Sequence, residues 1–97
     1  MEFKILVSKE AQSDLQNAFL YYQENVNKKV ATEFLKDFRK TLTTIRQNPY
    51  FRIWHDDFRG KLMKKYPFII FYLTDIKENI IVISRIFHTS QSPEKYP

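Results

Sequence analysis

Phe3, Ile5 and Val7 alternate with Lys4 and Leu6, and a period of two over residues 3–7 predicts a short strand. The period then changes. Ser8 stands where a helix N-cap belongs, and Glu10 follows in the first turn, where a carboxylate complements the helix dipole. Ala11, Leu15, Ala18, Phe19, Tyr22 and Val26 trace one apolar stripe along a helix of about five turns. Asn27 can cap a second helix, whose stripe is Ala31, Phe34, Leu35, Phe38, Leu42 and Ile45. Asn48-Pro49 ends it, because proline disfavours the helical conformation in the residue before it. Two amphipathic helices joined by a few residues predict an antiparallel pair.

After Pro49 the pattern is that of strands. Residues 50–58 are aromatic and only partly alternating, which predicts a short strand or extended loop; residues 59–65 are basic and extended. Residues 68–74 and 79–87 are rich in β-branched and aromatic side chains, with Lys77-Glu78 marking the turn between them. The tail from Thr89 is polar. The order β-α-α-β-β-β(-β) over residues 1–97 predicts a single α+β domain, with the two-helix antiparallel pair packed on one face of a mainly antiparallel sheet. A sheet covered on one face should alternate apolar and polar positions. Yet residues 68–73 are all apolar or aromatic, as are residues 80–83. Two helices cannot cover both faces of such strands, so a partner chain, a self-dimer or the tail is expected on the second face.

Composition narrows the chemistry. The 97 residues hold one glycine, where average usage would give about seven, and no cysteine. Gly60 alone cannot build a P-loop, a dinucleotide fingerprint or a glycine-lined oxyanion loop. Absent cysteine excludes disulfides, thiolate zinc sites and thiol nucleophiles, and fits a reducing compartment. No apolar run approaches the roughly 18 residues a membrane span needs, and the charged start is unlike a signal peptide. The cytoplasm is the expected location. The formal charge of +5 points weakly to an anionic partner.

The densest charge feature is Arg59, Lys61, Lys64 and Lys65, with no acid among them. On a strand, Arg59, Lys61, Met63 and Lys65 would share a face able to meet successive phosphates, with Trp54, Phe58 and Tyr66 near enough to stack on bases. Edge strands also carry lysines simply to prevent aggregation, so a nucleic-acid-binding module and edge protection both stand. His88 closes the most apolar strand with Arg85 three residues before it. It can serve as an acid or base, or be a histidine hydrogen-bonded at the end of the sheet. Neither His55 nor His88 has a carboxylate at ligand spacing, so no metal site is expected. No serine lies in a nucleophile-elbow context.

Several local patterns occur in a fixed order: Ala11…Asp14-Leu15, Tyr21-Tyr22, Ala31…Phe34, Asn48-Pro49, Arg59, Tyr66-Pro67-Phe68-Ile69-Ile70-Phe71-Tyr72, Ile83…Ile86-Phe87-His88 and Pro93…Tyr96. In that order and spacing the chain resembles the RelE/ParE superfamily, the toxins of type II toxin–antitoxin modules, over nearly its whole length. The resemblance implies a last strand lying beside the first, growth inhibition and roles such as plasmid stabilisation. It also implies a cognate antitoxin that wraps the toxin in a hetero-oligomer. Phe68, Ile70, Tyr72, Ile80 and Val82 are the expected antitoxin contacts. A homodimer burying the apolar sheet remains open.

The superfamily divides on target: one branch acts on DNA gyrase, the other cleaves ribosome-bound mRNA. The family's arginine at the start of the penultimate strand falls on Phe68, which resembles the gyrase-directed, ParE-like pattern and tilts the reading that way. For a RelE-like endoribonuclease the resemblance supplies His88, Lys61, Arg59, Arg85 and Tyr96 as a site without metal or cofactor, with Lys64 and Lys65 as further nucleic-acid contacts.

Overall fold

The capping residues act as the sequence predicts. In a computed structural model, which describes residues 3–90 apart from the side chain of His55, Ser8 Oγ accepts the Ala11 N–H at 3.0 Å. The same hydroxyl donates to the Ser84 carbonyl at 2.9 Å. Ser8 lies between strand β1 (Lys4–Val7) and helix α1 (Lys9–Asn25), so this bond ties the start of the helix to the distant Ser84. Asn27 caps helix α2 (Lys28–Gln47) by accepting the Val30 N–H at 2.8 Å. The helices meet with only Val26 and Asn27 between them, which forces the antiparallel pair. Asn48 ends α2 ahead of Pro49, as the proline requires.

Four strands follow: β2 (Ile53–His55), β3 (Phe58–Leu62), β4 (Phe68–Asp75) and β5 (Ile80–His88). Among the described residues they form one five-stranded sheet in the order β1-β5-β4-β3-β2. The last strand lies beside the first, parallel to it, with Lys4 opposite Ile80 and Val7 opposite Ile83. All other pairs are antiparallel. The fold is thus the two-layer α+β arrangement predicted, in the form with four strands after the helices.

The core lies between the helices and one sheet face. Phe68, Ile70 and Tyr72 of β4 and Ile81, Ile83 and Ile86 of β5 pack on Ala11, Ala18, Phe34, Phe38 and Ile45 of the helices. The spacing in β5 breaks strict alternation between Ile83 and Ile86. A bulge explains it: Phe71 faces Arg85 but Tyr72 faces Ile83, so Ser84 is the extra residue and Ile86 regains the helix-facing side. Rings of Tyr22, Phe34, Tyr66 and Phe68 meet at 5.3–6.4 Å between centroids and tie α1, α2 and β4 together. The Tyr72 hydroxyl donates to the Pro49 carbonyl at 3.0 Å, holding the segment after α2 against the sheet.

The second face is partly covered by the chain itself, where a partner or the tail was expected. Ile69, Phe71 and Phe87 are buried there, and Trp54 and Phe58 pack on them. The Trp54 ring meets Phe71 edge-on at 6.2 Å, and the Arg52 guanidinium carbon lies 5.1 Å from the centroid of the same indole. Gly60 makes room for this. A Cβ there would stand 2.6 Å from Trp54 Cδ1 and 2.8 Å from Nε1. Toward the flanks the face opens, with Leu6 43 % and Leu62 48 % exposed.

Two stability tests follow from the packing. Gly60→Ala must displace the indole, and a loss of about 1–3 kcal/mol with altered emission from the single tryptophan is expected in urea titrations. An unchanged midpoint and spectrum would contradict the packing of Trp54 on Gly60. Burial pushes the phenols of Tyr22, Tyr66 and Tyr72 above their ordinary value of 10.0. The unfolded chain therefore releases these protons first, near pH 10, and the stability they contribute is intact below that pH and declines above it. Thermal melts across pH 8–11.5 should show a flat region and then a falling Tm; a Tm that rises above pH 10 would refute the assignment.

Candidate functional site

The cationic segment does not form a free rail. Arg59 pairs with Tyr72 and Lys61 with Ile70, so both side chains leave the sheet on the face that the helices occupy. Arg59 Nη1 donates to the Phe51 carbonyl at 2.7 Å and the guanidinium lies 5.8 Å from the Tyr50 ring centroid. Lys61 Nζ sits 4.8 Å from the Phe51 ring centroid. Met63 is buried in the core, and the strand has already ended at Leu62. The Lys65 N–H is held at 3.1 Å by Asp37 Oδ2, while the Lys64 and Lys65 side chains are exposed. Arg59 and Lys61 therefore brace residues 50–51 against the sheet, and only Lys64 and Lys65 extend into solvent.

His88 lies on the other flank of the helix layer. It stands opposite Phe68 across the β4–β5 ladder, and its ring meets Phe68 edge-on at 5.1 Å. Its Nδ1 accepts the Ser90 N–H at 3.1 Å, with the Ser90 hydroxyl 2.6 Å away. An accepting Nδ1 leaves the proton of the neutral ring on Nε2. Beside α1 the histidine lines a shallow groove with Asp14, Asn17, Ala18 and Phe68. A second depression continues it toward Tyr21 and Tyr22.

Arg85 is bound to Asp14 through two parallel contacts, Nε to Oδ2 at 2.8 Å and Nη2 to Oδ1 at 3.1 Å. Asp14 Oδ2 also accepts the Ile86 N–H at 2.9 Å. The carboxylate raises the pKa of the guanidinium further above its already high value, chiefly through these hydrogen bonds. Arg85 also lies 4.9 Å from the Phe87 ring centroid. Its charge is thus matched within the chain.

Of the expected antitoxin contacts, Phe68, Ile70 and Tyr72 need correction as surface residues. They are 8 %, 0 % and 0 % exposed, because their face of β4 is the one the helices cover. Ile80 and Val82 alternate with the buried Ile81 and Ile83, lie on the opposite face and remain partly exposed. Tyr96 lies outside the described residues.

Sequence reasoning gave no role to two acids. Asp14 and Asp37 each stand inside an apolar stripe, with Ala11 and Ala18 around the first and Phe34, Phe38 and Thr41 around the second. An acid on the core face of a helix was the available signal, since such groups are buried only when partnered. Among the described residues no group of three or more His, Asp or Glu side chains could hold a metal ion. No helix among them is long and apolar enough to cross a membrane.

A family model described as the ParE toxin of the type II toxin–antitoxin system parDE matches residues 5–93. Among solved structures, a chain of the chromosomal ParDE toxin–antitoxin system from P. aeruginosa superposes with a TM-score of 0.79 at 15% identity, over 91% of this chain and 97% of that one. A chain of the RelBE2 toxin–antitoxin complex from Mycobacterium tuberculosis superposes with a TM-score of 0.58 at 12% identity, over 91% and 99%. Comparison with curated proteins returns no match.

The Asp14 contacts set a direct test. Asp14→Ala leaves Arg85 unpaired and the Ile86 N–H without its acceptor, and with both partners only partly shielded a loss of about 2–3 kcal/mol is expected. Urea denaturation reads it. A variant as stable as the unmodified chain would contradict the assignment of this carboxylate as a structural anchor.

Proposed function

The chain belongs to the ParE toxin family of type II toxin–antitoxin systems, and from that premise we propose that it arrests growth by acting on DNA gyrase and is held inactive by a cognate antitoxin. The observation that carries the choice of target is the aromatic cluster around Phe68. RNA cleavage without metal needs a base at the 2′-hydroxyl, cations on the phosphorane and an acid at the leaving oxygen, all converging on one phosphate. Where that design would want a cation, Phe68 packs among Tyr22, Phe34 and His88. Arg85 is matched by Asp14, Arg59 holds the Phe51 carbonyl, and Lys61 and His88 line different hollows. These arrangements favour a toxin that works through its surface over one that cleaves RNA.

The ParDE and RelBE2 structures are toxin–antitoxin systems, and an antitoxin for this chain has a suitable surface to meet. Ile80, Val82 and Leu6 form the open part of the second sheet face, and the net charge of +5 favours an acidic partner. Both gyrase and such an antitoxin place the chain's action in the cytoplasm.

Two assays on the purified chain decide the target. Inhibition of gyrase supercoiling with ribosome-bound mRNA left intact is the expected result, and His88→Ala should inhibit supercoiling as well as the unmodified chain does. Ribosome-dependent mRNA cleavage that disappears in His88→Ala would overturn the gyrase reading in favour of the RelE-like one. Strongly salt-dependent nucleic-acid binding with neither activity would point instead to a simple binding module.

A further inference from the structure

The positive charge of the chain is concentrated in one stretch. Residues 34–65 hold nine Lys and Arg against three Asp, a balance of +6 where the whole chain carries +5. The fold gathers part of that charge around a hollow of about 480 Å³ between the second half of α2 and the end of β3. Lys40 of α2, Lys61 of β3 and Lys64 just beyond the strand line it. The cluster in space therefore differs from the cluster in sequence. Lys40 joins it from the helix, and Arg59 leaves it for the Phe51 carbonyl.

Among the described residues no carboxylate forms an ion pair with Lys40, Lys61 or Lys64. Asp37 lines the hollow too, but it is 5 % exposed and its Oδ2 accepts the Lys65 N–H. Asp56 and Asp57 stand at the other end of β3. Three ammonium groups against one largely covered carboxylate call for an anion. The rest of the lining narrows its kind. The Thr41 and Thr44 hydroxyls donate to the carbonyls of Asp37 and Lys40, at 2.8 and 3.1 Å, which leaves the ammonium groups as the donors on offer. An ammonium is a point charge without the planar fork that matches a carboxylate or a base edge. None of the described lining residues is aromatic, and rings are what single strands stack their bases on. Met63 is buried and Leu62 is the exposed apolar member, too little for the anchor of a protein interface. What remains is contact through charge alone, the way duplex DNA is held by its phosphates without regard to sequence.

We propose that this flank binds the phosphate backbone of duplex DNA, with Lys40 and Lys64 reaching the phosphates and Lys61 adding charge from the wall. Lys61 Nζ lies 4.8 Å from the Phe51 ring centroid, which holds the cation in place. The proposal rests on the gyrase reading for its setting, since gyrase carries duplex DNA when a toxin meets it. DNA binding itself is measured without gyrase, so it succeeds or fails separately from inhibition of supercoiling.

Fluorescence anisotropy of labelled duplex DNA, titrated with the full chain at salt concentrations from about 50 to about 200 mM, tests the proposal. Three lysines at phosphates predict a slope of about −3 in log affinity against log salt, with equal affinity for duplexes of unrelated sequence. Lys40→Gln with Lys64→Gln, both at exposed positions, should weaken binding at least about tenfold and bring the slope to about −1. Lys28→Gln with Lys77→Gln removes the same charge from exposed positions elsewhere and should bind DNA like the unmodified chain. Equal weakening by the two pairs would overturn the proposal, because overall charge and not this flank would then hold the DNA. Absence of duplex binding at about 50 mM salt would overturn it as well. So would tighter binding of single-stranded RNA than of duplex DNA, or displacement of the DNA by polyglutamate at an equal concentration of charge.

Discussion

One carboxylate decides how the two layers of this protein are joined. β1 pairs with β5 for only four residues, from Lys4 opposite Ile80 to Val7 opposite Ile83, while β5 runs on to His88. Beyond Ile83 the outer edge of β5 has lost its strand partner, and buried backbone donors at such an edge need acceptors. The chain solves this with α1. Ser8 takes the next position by binding the carbonyls of Ile83 and Ser84, and Asp14 accepts the Ile86 N–H and both guanidinium contacts of Arg85. A helix thereby stands in for the missing strand, and its distance and rotation relative to the sheet are fixed at both ends of its first two turns.

The rest of the layout depends on that placement. With α1 held against β5, Ala11 and Ala18 lie directly on the sheet, small enough for close approach, and Tyr22 reaches the cluster formed with Phe34, Tyr66 and Phe68. The bulge at Ser84 serves the same end. It turns Ile86 to the core and leaves Arg85 beside Phe87 on the other face, from which the guanidinium reaches Asp14 at the open edge. Members of one short stretch of β5 are thus divided between core, edge and outer face. A guanidinium neutralised in this way is a structural element. This constraint also separates the chain's cations: Arg59 and Lys61 brace the segment after α2, and Arg85 locks α1.

Much of this was legible in the sequence. Period and caps marked both helices, since Ser8, Asn27 and Asn48-Pro49 act through local geometry that tertiary structure did not override. The order of elements was equally clear, and the resemblance to RelE/ParE toxins rested on motifs spread across the whole chain. The faces of the strands were harder to read. Phe68 to Tyr72 are apolar at every position, so alternation could not tell which residues the helices would take, and the set Phe68, Ile70 and Tyr72 proved to be core. Nor could composition foresee that Trp54 would lie against Gly60, because that contact needs β2 and β3 to pair with the register shift between Ile53 and His55. The roles of Asp14 and Asp37 depend on partners 71 and 28 residues away in the chain, a relation no local pattern encodes.

The two acids give the molecule its functional geography. Asp14 closes one flank, beside His88, and Asp37 looks into a lysine-lined cavity on the other. Between them lies the aromatic cluster of Tyr22, Phe34, Tyr66 and Phe68. All of this follows from α1 being pinned to β5, and amide hydrogen exchange at Ile86 measures that pinning most directly. If Asp14 supplies the missing edge acceptor, the Ile86 amide exchanges as slowly as those of Ile81 and Ile83 and opens only with the core of the sheet. Exchange of Ile86 at the rate of exposed turn amides such as Lys77 would contradict the account.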